Sequence, residues 1–330
     1  MDTNDIENLI EQLKKIQADF YVAFGVTDII TNSKIFEILI ADTLNHKLIP
    51  GHSGSRDAKD DDGNEFEYKH YKESSSNHTW TFNDFSHTTI EKLIKAKGVI
   101  FAHIQDENVP FPVFDWYYKV PGIIMSRYLA EATTRITNNR KMINVGPRQI
   151  ETTLALTKKT TTGLCSGIYY EWIKKIVDII LKIEKQVETS NILTSNKFWE
   201  VLVALRLGHK VQSEQSKHDA TDAFGNMYEY KVAKGSSWSF QDISKDVLKK
   251  YMSDKSIILA TVDKNDFAVK KIYEADTKKI VQLLKKKLKA KEARYKDQGK
   301  EIRRKQASLS VKDMRDIKAK LIYSSDQKLK

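Results

Sequence analysis

The sequence predicts an α/β chain (α+β in its local order) made of two copies of one unit, and three observations carry that expectation. Residues 57–69, DAKDDDGNEFEYK, return as residues 219–231, DATDAFGNMYEYK, in register and without a gap, with eight of the thirteen positions identical. Average residue usage gives roughly one such identity by chance. Helical apolar stripes precede the run in each half, and a short β-branched apolar stretch follows it at 98–102 and 256–260, as a strand central in a sheet does. At 330 residues the chain divides into two domains of about 160 residues, each able to bury its own core. The expected bounds are 1–157 and 167–330, with a polar linker at 158–166 that lacks apolar periodicity.

Taken in order, Ile6, Leu9, Ile10, Leu13, Ile16, Phe20 and Ala23 share one face of a helix over 6–24. Their counterparts over 168–187 are Tyr169, Trp172, Ile173, Ile176, Ile179, Ile180 and Ile183, a more apolar stripe that suits a helix buried between domains. A second helix is expected at 33–44 and at 196–207, with Asn32 and Ser195 as N-caps. The repeated run reads as a hairpin turning at Gly63-Asn64 and Gly225-Asn226. Its returning strand carries Glu67 and Lys69, or Glu229 and Lys231. After a Ser-rich stretch, 79–82 and 237–240 alternate as short strands. Then come a helix, the apolar strand, a strand ending at Trp116-Tyr117 or Ile272-Tyr273, and another helix. Beyond that the copies diverge, the second becoming lysine-rich at 284–291.

Hydrophobic residues at 40% and charged residues at 30% describe a globular chain, with no apolar run near the ~18 residues that span a bilayer. The N-terminal residues lack the basic and apolar regions of a signal peptide, so a cytoplasmic location is expected. Cys165 is the only cysteine, which excludes an internal disulfide and a cysteine-based zinc site. The net charge of +11 favours a polyanionic partner. No segment pairs a basic face with the bulky apolar face of a membrane anchor, so nucleic acid is the expected partner.

Each copy of the run holds an Asp, a Glu ten residues on and a Lys two beyond. Alternate side chains of a strand share a face, so Glu67 and Lys69 project together and Asp57 can converge with Glu67 on one cation. The competing reading is a solvated hairpin with a surface ion pair, and recurrence of the same types in register counts against it. Asp60, Asp61, Asp62 and Asp222 compete for the ligand role but read as turn residues, His46 and His209 read as capping or packing residues, and Trp80 and Trp238 as core, with stacking on bases as the alternative.

The pattern D-A-x-D-x-x-G-x-x-[FY]-E-x-K resembles the catalytic segment of the PvuII-like type II restriction endonucleases, members of the PD-(D/E)XK nuclease superfamily. Flanking residues 25–29 and 48–51, the apolar strand and the strand ending at Ile272-Tyr273 extend the likeness over most of both copies. The resemblance implies two restriction-endonuclease-like domains, each a central mixed sheet flanked by helices, fused in tandem as a pseudo-dimer whose long N-terminal helices pack together. It implies sequence-specific, Mg²⁺-dependent hydrolysis of phosphodiester bonds in double-stranded DNA, one strand per domain, by a chain that is monomeric and has a cognate DNA methyltransferase. Catalysis then falls to Asp57, Glu67, Lys69, Asp219, Glu229 and Lys231. The four carboxylates are hard oxygen ligands suited to Mg²⁺, and the lysines hold or activate water and stabilise negative charge.

The family's base-reading histidine run is missing here, so its target sequence does not carry over. By position, Thr81, Asn83, Asp84, His87, Ser239, Gln241 and Asp242 are either base readers or ordinary capping and loop residues. Asn32 and Ser195 occupy a loop that approaches the minor groove in the resembled fold. Arg148, Arg303, Arg304 and Lys305 either contact phosphates or form a solvated basic face. The alternatives are a nicking or repair nuclease with one working site and a non-catalytic DNA-binding protein.

Overall fold

The computed structural model describes residues 3–30, 34–50, 56–83, 87–109, 111–136, 142–163, 166–193, 197–213, 216–299, 302 and 305–326. It is a mixed α/β chain with two similar six-stranded mixed sheets flanked by helices. Contacts group it into two units, Ile16–Val177 and Met1–Lys15 together with Asp178–Lys330. The expected linker at 158–166 is therefore not where the contacts divide; the long helices α1 (Thr3–Phe24) and α6 (Tyr170–Val187) are.

The first unit runs α2 (Lys34–Thr43), β1 (Lys47–Leu48), β2 (Ala58–Lys59), β3 (Glu65–Lys72), β4 (Trp80–Phe82), α3 (His87–Lys95), β5 (Gly98–Gln105), β6 (Val113–Pro121), α4 (Gly122–Thr134), β7 (Ile143–Val145), α5 (Pro147–Thr152) and β8 (Lys159–Thr160). Its sheet order is β1-β2-β3-β5-β6-β8. Only β3 and β5 are parallel, with Lys69 opposite Phe101, which is why a crossover through β4 and α3 must join them. All of β5 except Gln105 is buried, so its unbroken apolar run reflects cover on both faces. Trp80, fully buried, donates its indole N–H to the Ala102 carbonyl at 2.8 Å and packs with Phe82, Val99, Phe101, Tyr118 and Leu129.

The second unit repeats this plan through α7 (Lys197–Leu207), β9 (Lys210–Val211), β10 (Ala220–Thr221), β11 (Met227–Ala233), β12 (Ser237–Phe240), α8 (Lys245–Ser253), β13 (Ser256–Asp263), β14 (Ala268–Ala275), α9 (Thr277–Asp297), β15 (Ala307–Ser310), α10 (Val311–Asp316) and β16 (Lys320–Ser324). Its sheet order is β16-β14-β13-β11-β10-β9, with β11 and β13 parallel. Trp238 donates to the Ala260 carbonyl at 2.7 Å, as Trp80 does in the first unit. Both tryptophans thus pin a short strand to the central strand, and neither is free to stack on a base.

The repeat continues past the point where the sequences part. β4 pairs antiparallel with β7 and β12 with β15, and a short helix, α5 or α10, follows each. The strands expected to end at Tyr117 and Tyr273 run on to Pro121 and Ala275, because antiparallel pairing with β5 and β13 continues. Within 158–166, Lys159 and Thr160 form β8 on the edge of the first sheet. The buried Asp42 carboxylate accepts the backbone N–H groups of Gly167 and Tyr169 at 2.8 and 2.7 Å, and the Tyr169 hydroxyl accepts from Leu48 N at 2.9 Å. These bonds, with Phe20 and Phe24 packed on Tyr169 and Trp172, extend the first unit to Val177. Among the described residues no helix is long and apolar enough to cross a membrane.

One close approach tests the packing. A Cβ on Gly122 would lie 2.2 Å from the Ala96 carbonyl oxygen and 2.5 Å from that of Leu93, so α4 starts against the backbone at the end of α3 and only glycine fits. Gly122→Ala is expected to destabilise the protein by about 3 kcal/mol, read as a lowered urea midpoint. An unchanged midpoint would contradict this packing.

Candidate active sites

Each site is built on its hairpin. In the turn, Gly63 adopts φ +80° and the Asp60 carboxylate accepts from Asn64 N at 2.8 Å and Asn64 Nδ2 at 3.0 Å. Asp222 makes the same pair of bonds to Asn226 and also accepts from the Tyr228 hydroxyl at 2.8 Å. These aspartates hold the turn, as their position in sequence suggested. The fixed register puts Asp57 N on the Phe66 carbonyl, and Asp57 Oδ2 accepts from Tyr68 N at 2.7 Å. Asp219 Oδ2 accepts from Tyr230 N at the same distance. Each Asp is thereby locked against the strand that carries its Glu and Lys.

Lys69 Nζ donates to Glu67 Oε1 and Lys231 Nζ to Glu229 Oε1. The ammonium groups lie 5.4 Å from the Phe82 ring and 5.8 Å from the Phe240 ring, so the short strand pinned by tryptophan also walls the site. His46 and His209 support the hairpin from another side. Their Nδ1 atoms lie 2.7 and 2.8 Å from the Tyr68 and Tyr230 hydroxyls. Both histidines are packing residues.

Sequence reasoning missed a further pair at each site. Lys34 and Glu37 on α2 form an ion pair close enough to Asp57 for their charges to interact, and Lys197 and Glu200 on α7 do so at 2.6 Å beside Asp219. A signal existed. Lys-x-x-Glu stands at matching places in two otherwise apolar helices, KIFEILIA and KFWEVLVA. Burial and the Asp57 charge raise the Glu37 carboxyl to about 7, and burial with Asp219 raises Glu200. Burial, with Asp57 adding to it, also raises Glu67 despite Lys69. Burial opposes the charge on Lys69, but Glu67 and Asp57 outweigh it and hold the ammonium above its ordinary range.

The second site differs in its surroundings. Lys250 on α8 lies 2.8 Å from Glu229 Oε2 as an ion pair, although no hydrogen bond closes on that oxygen. Burial works against a charged Glu229, yet Lys231 and Lys250 outweigh it and lower its carboxyl. Burial and Glu229 raise Asp219. Next to Asp219, His218 Nδ1 lies 2.5 Å from Asp254 Oδ1.

Thr81 sits on the side of β4 opposite Trp80 and Phe82 and donates to Asn144 Oδ1 on β7 at 3.0 Å. Ser239 faces outward on β12 with Ser308 of β15 as its cross-strand neighbour. Each unit thus presents a two-stranded ribbon with a polar outer face, and Asn144 and Ser308 join the candidates named from sequence. Asn83, Arg148, Gln241 and Asp242 are exposed. Lys305 is paired with Glu292 at 2.9 Å. Asn32, Asp84, Ser195, Arg303 and Arg304 lie outside the described residues, as does the side chain of His87.

A divalent cation fits the donor set without being crowded by it. Glu67 Oε2 is buried with no hydrogen-bond partner among the described residues, an orphaned acceptor of the kind that a cation satisfies. No group of three or more His, Cys, Asp and Glu side chains converges as a metal cage among the described residues. Two carboxylates leave several positions to water and substrate, which is the habit of Mg²⁺. Compared with known proteins, the chain matches no family model and no curated sequence.

The Glu37 shift has a measurable sign. Its folded-state value of about 7 exceeds the ordinary 4.5, so the folded state binds this proton more tightly than the unfolded state does. The stabilisation is complete below about pH 4.5 and is lost as pH rises through 7. Between pH 5 and pH 8 the wild type should lose roughly 2 kcal/mol more stability than Glu37→Gln, measured by urea denaturation. Parallel pH profiles for the two proteins would refute the assignment.

Proposed function

We propose that the chain is a Mg²⁺-dependent endodeoxyribonuclease of the type II restriction class, with two PvuII-like PD-(D/E)XK domains acting as an internal pseudo-dimer, each cutting one DNA strand. The observation that carries this reading is the twofold construction of the same site. Asp57 and Asp219 are fixed by the same backbone bond, and each faces a Glu–Lys pair on the same strand face. A solvated surface ion pair has no reason to recur buried, walled by a phenylalanine and backed by a second Lys–Glu pair.

Mg²⁺ held by Asp57 and Glu67, or by Asp219 and Glu229, would supply a Lewis acid for the phosphoryl oxygen and lower the pKa of bound water. The neighbouring carboxylates hold the Lys69 and Lys231 ammonium groups above their ordinary range. Their part is to orient the attacking water and to stabilise the negative charge that grows on the phosphate. The polar outer faces of the two ribbons, Thr81 with Asn144 and Ser239 with Ser308, have the form and hydrogen-bonding groups that a major groove admits. The net charge of +11 suits a polyanion.

Lys69→Ala and Lys231→Ala, made singly, should each lower cleavage of one strand by 100-fold or more, a size typical of losing one charge-stabilising donor (about 10²–10³). On supercoiled plasmid with Mg²⁺ each variant should therefore leave a nicked circle, and the double variant intact DNA. Efficient linearisation by either single variant would defeat the one-strand-per-site reading. Intact plasmid with the wild type, both with Mg²⁺ and with EDTA, would favour the non-catalytic DNA-binding alternative.

A further inference from the structure

The two sites share their chemistry but not the state of the glutamate oxygen that faces away from the repeated lysine. Both Oε2 atoms are buried without a hydrogen bond among the described residues, but in the first site that of Glu67 has no ion-pair partner among them either. In the second, Glu229 Oε1 is held by Lys231 while Oε2 has Lys250 at 2.8 Å, so an ammonium attends each oxygen. The helices α3 and α8 align residue for residue. Each has nine residues, each ends three positions before the central strand, and the buried Leu93 and Tyr251 correspond. Lys250 therefore has Lys92 as its counterpart. Lys92 is exposed and forms no ion pair among the described residues.

The neighbours explain why the same residue turns inward in one unit and outward in the other. Asp254, buried and close enough to Lys250 for their charges to interact, stands where the first unit has Ala96. His218, next to Asp219, stands where the first unit has Arg56, a permanent cation paired with Glu65. An acid draws Lys250 in. At Lys92 that acid is missing, because Ala96 stands in its place.

We infer that Lys250 is a built-in place-holder cation in the second site, so that the two sites bind divalent cations unequally, the first directly and the second only after Lys250 is displaced from Glu229. The inference rests on the reading of the Asp–Glu pairs as divalent-cation sites. A cation arriving at Glu67 meets an unpaired oxygen, whereas one arriving at Glu229 must first break an ion pair largely shielded from solvent. Charge interactions at such distances are worth enough to separate the two affinities by about tenfold or more. Once displaced, Lys250 is a mobile ammonium at the rim of the site.

The experiment is titration of the full chain with Mn²⁺ alone, following free Mn²⁺ by electron paramagnetic resonance, so that no DNA and no activity enter the readout. The wild type should show two sites differing by about tenfold or more. Glu67→Gln should remove the tighter, Lys250→Met should tighten the weaker toward equality, and Lys250→Arg, which keeps the charge, should leave it weak. Lys92→Met should change neither. Circular dichroism on each variant confirms that the fold is kept. Two equal sites in the wild type, or a weaker site untouched by Lys250→Met, would overturn the place-holder role while leaving the divalent sites standing. No Mn²⁺ bound by the wild type would overturn the divalent reading itself, and with it the inference.

Discussion

The bond on which both sites depend joins the Asp57 carboxylate to the Tyr68 backbone N–H, and the Asp219 carboxylate to that of Tyr230, each at 2.7 Å. Such charge-assisted bonds contribute about 1.5–3 kcal/mol, but their larger effect is positional. The Asp is tied to the strand one residue from the Glu and one from the Lys, so no loop motion can separate the three. That closeness has an electrostatic cost. Two carboxylates kept together out of water cannot both stay ionised without cations, and the chain supplies Lys69 with Lys34, or Lys231 with Lys250, to offset their repulsion. The sites thus hold a balance of fixed charges that a further cation can complete.

The triads were legible in the sequence because a strand repeats every two residues and the run occurs twice. Periodicity put Glu67 and Lys69 on one face, and recurrence distinguished them from a chance surface pair. The long helices and the apolar central strands were legible for the same reason, since burial on a regular element leaves a regular trace. Glu37 and Glu200 were harder to see. Their closeness to the aspartates is a tertiary fact, and a Lys-x-x-Glu spacing alone reads as an ordinary helical ion pair. The ribbon partners were hidden because β7 reads Ile-Asn-Val and β15 reads Ala-Ser-Leu-Ser. Pairing of such short strands is specified by main-chain hydrogen bonds and one or two apolar anchors, which leave little sequence similarity. β8 was hidden because both its residues are exposed, so an edge strand with no apolar face looked like a linker. The contact boundary at Val177 followed from Asp42 binding backbone N–H groups more than a hundred residues away, and no local pattern announces such a bond.

Duplication left the two units free to differ wherever a residue does not hold the hairpin or the triad. The outer faces of the ribbons differ, Thr81 with Asn144 on one and Ser239 with Ser308 on the other. So do the C-terminal parts. Lys287 on α9 donates to the Ser308 carbonyl at 3.0 Å and to Asp313 at 2.7 Å, so part of the lysine-rich run braces β15 and α10. Counting basic residues from sequence therefore overstates the charge available to a partner in that region.

The same freedom reaches the edge of the two Asp–Glu–Lys sites. His218 and Asp254 replace Arg56 and Ala96 without disturbing any bond that fixes the triad, yet they change the field felt by the lysine on the neighbouring helix. In a homodimer such a change would appear at both sites at once and could not distinguish them. Two similar units in one chain are free of that constraint, so each site can be tuned separately while the Asp–Glu–Lys frame stays fixed. On the proposed reading, the strand served by the first unit is then ready for attack at lower divalent-cation concentration than the strand served by the second, and the order of cutting becomes a property of the sequence around the sites rather than of the catalytic residues themselves.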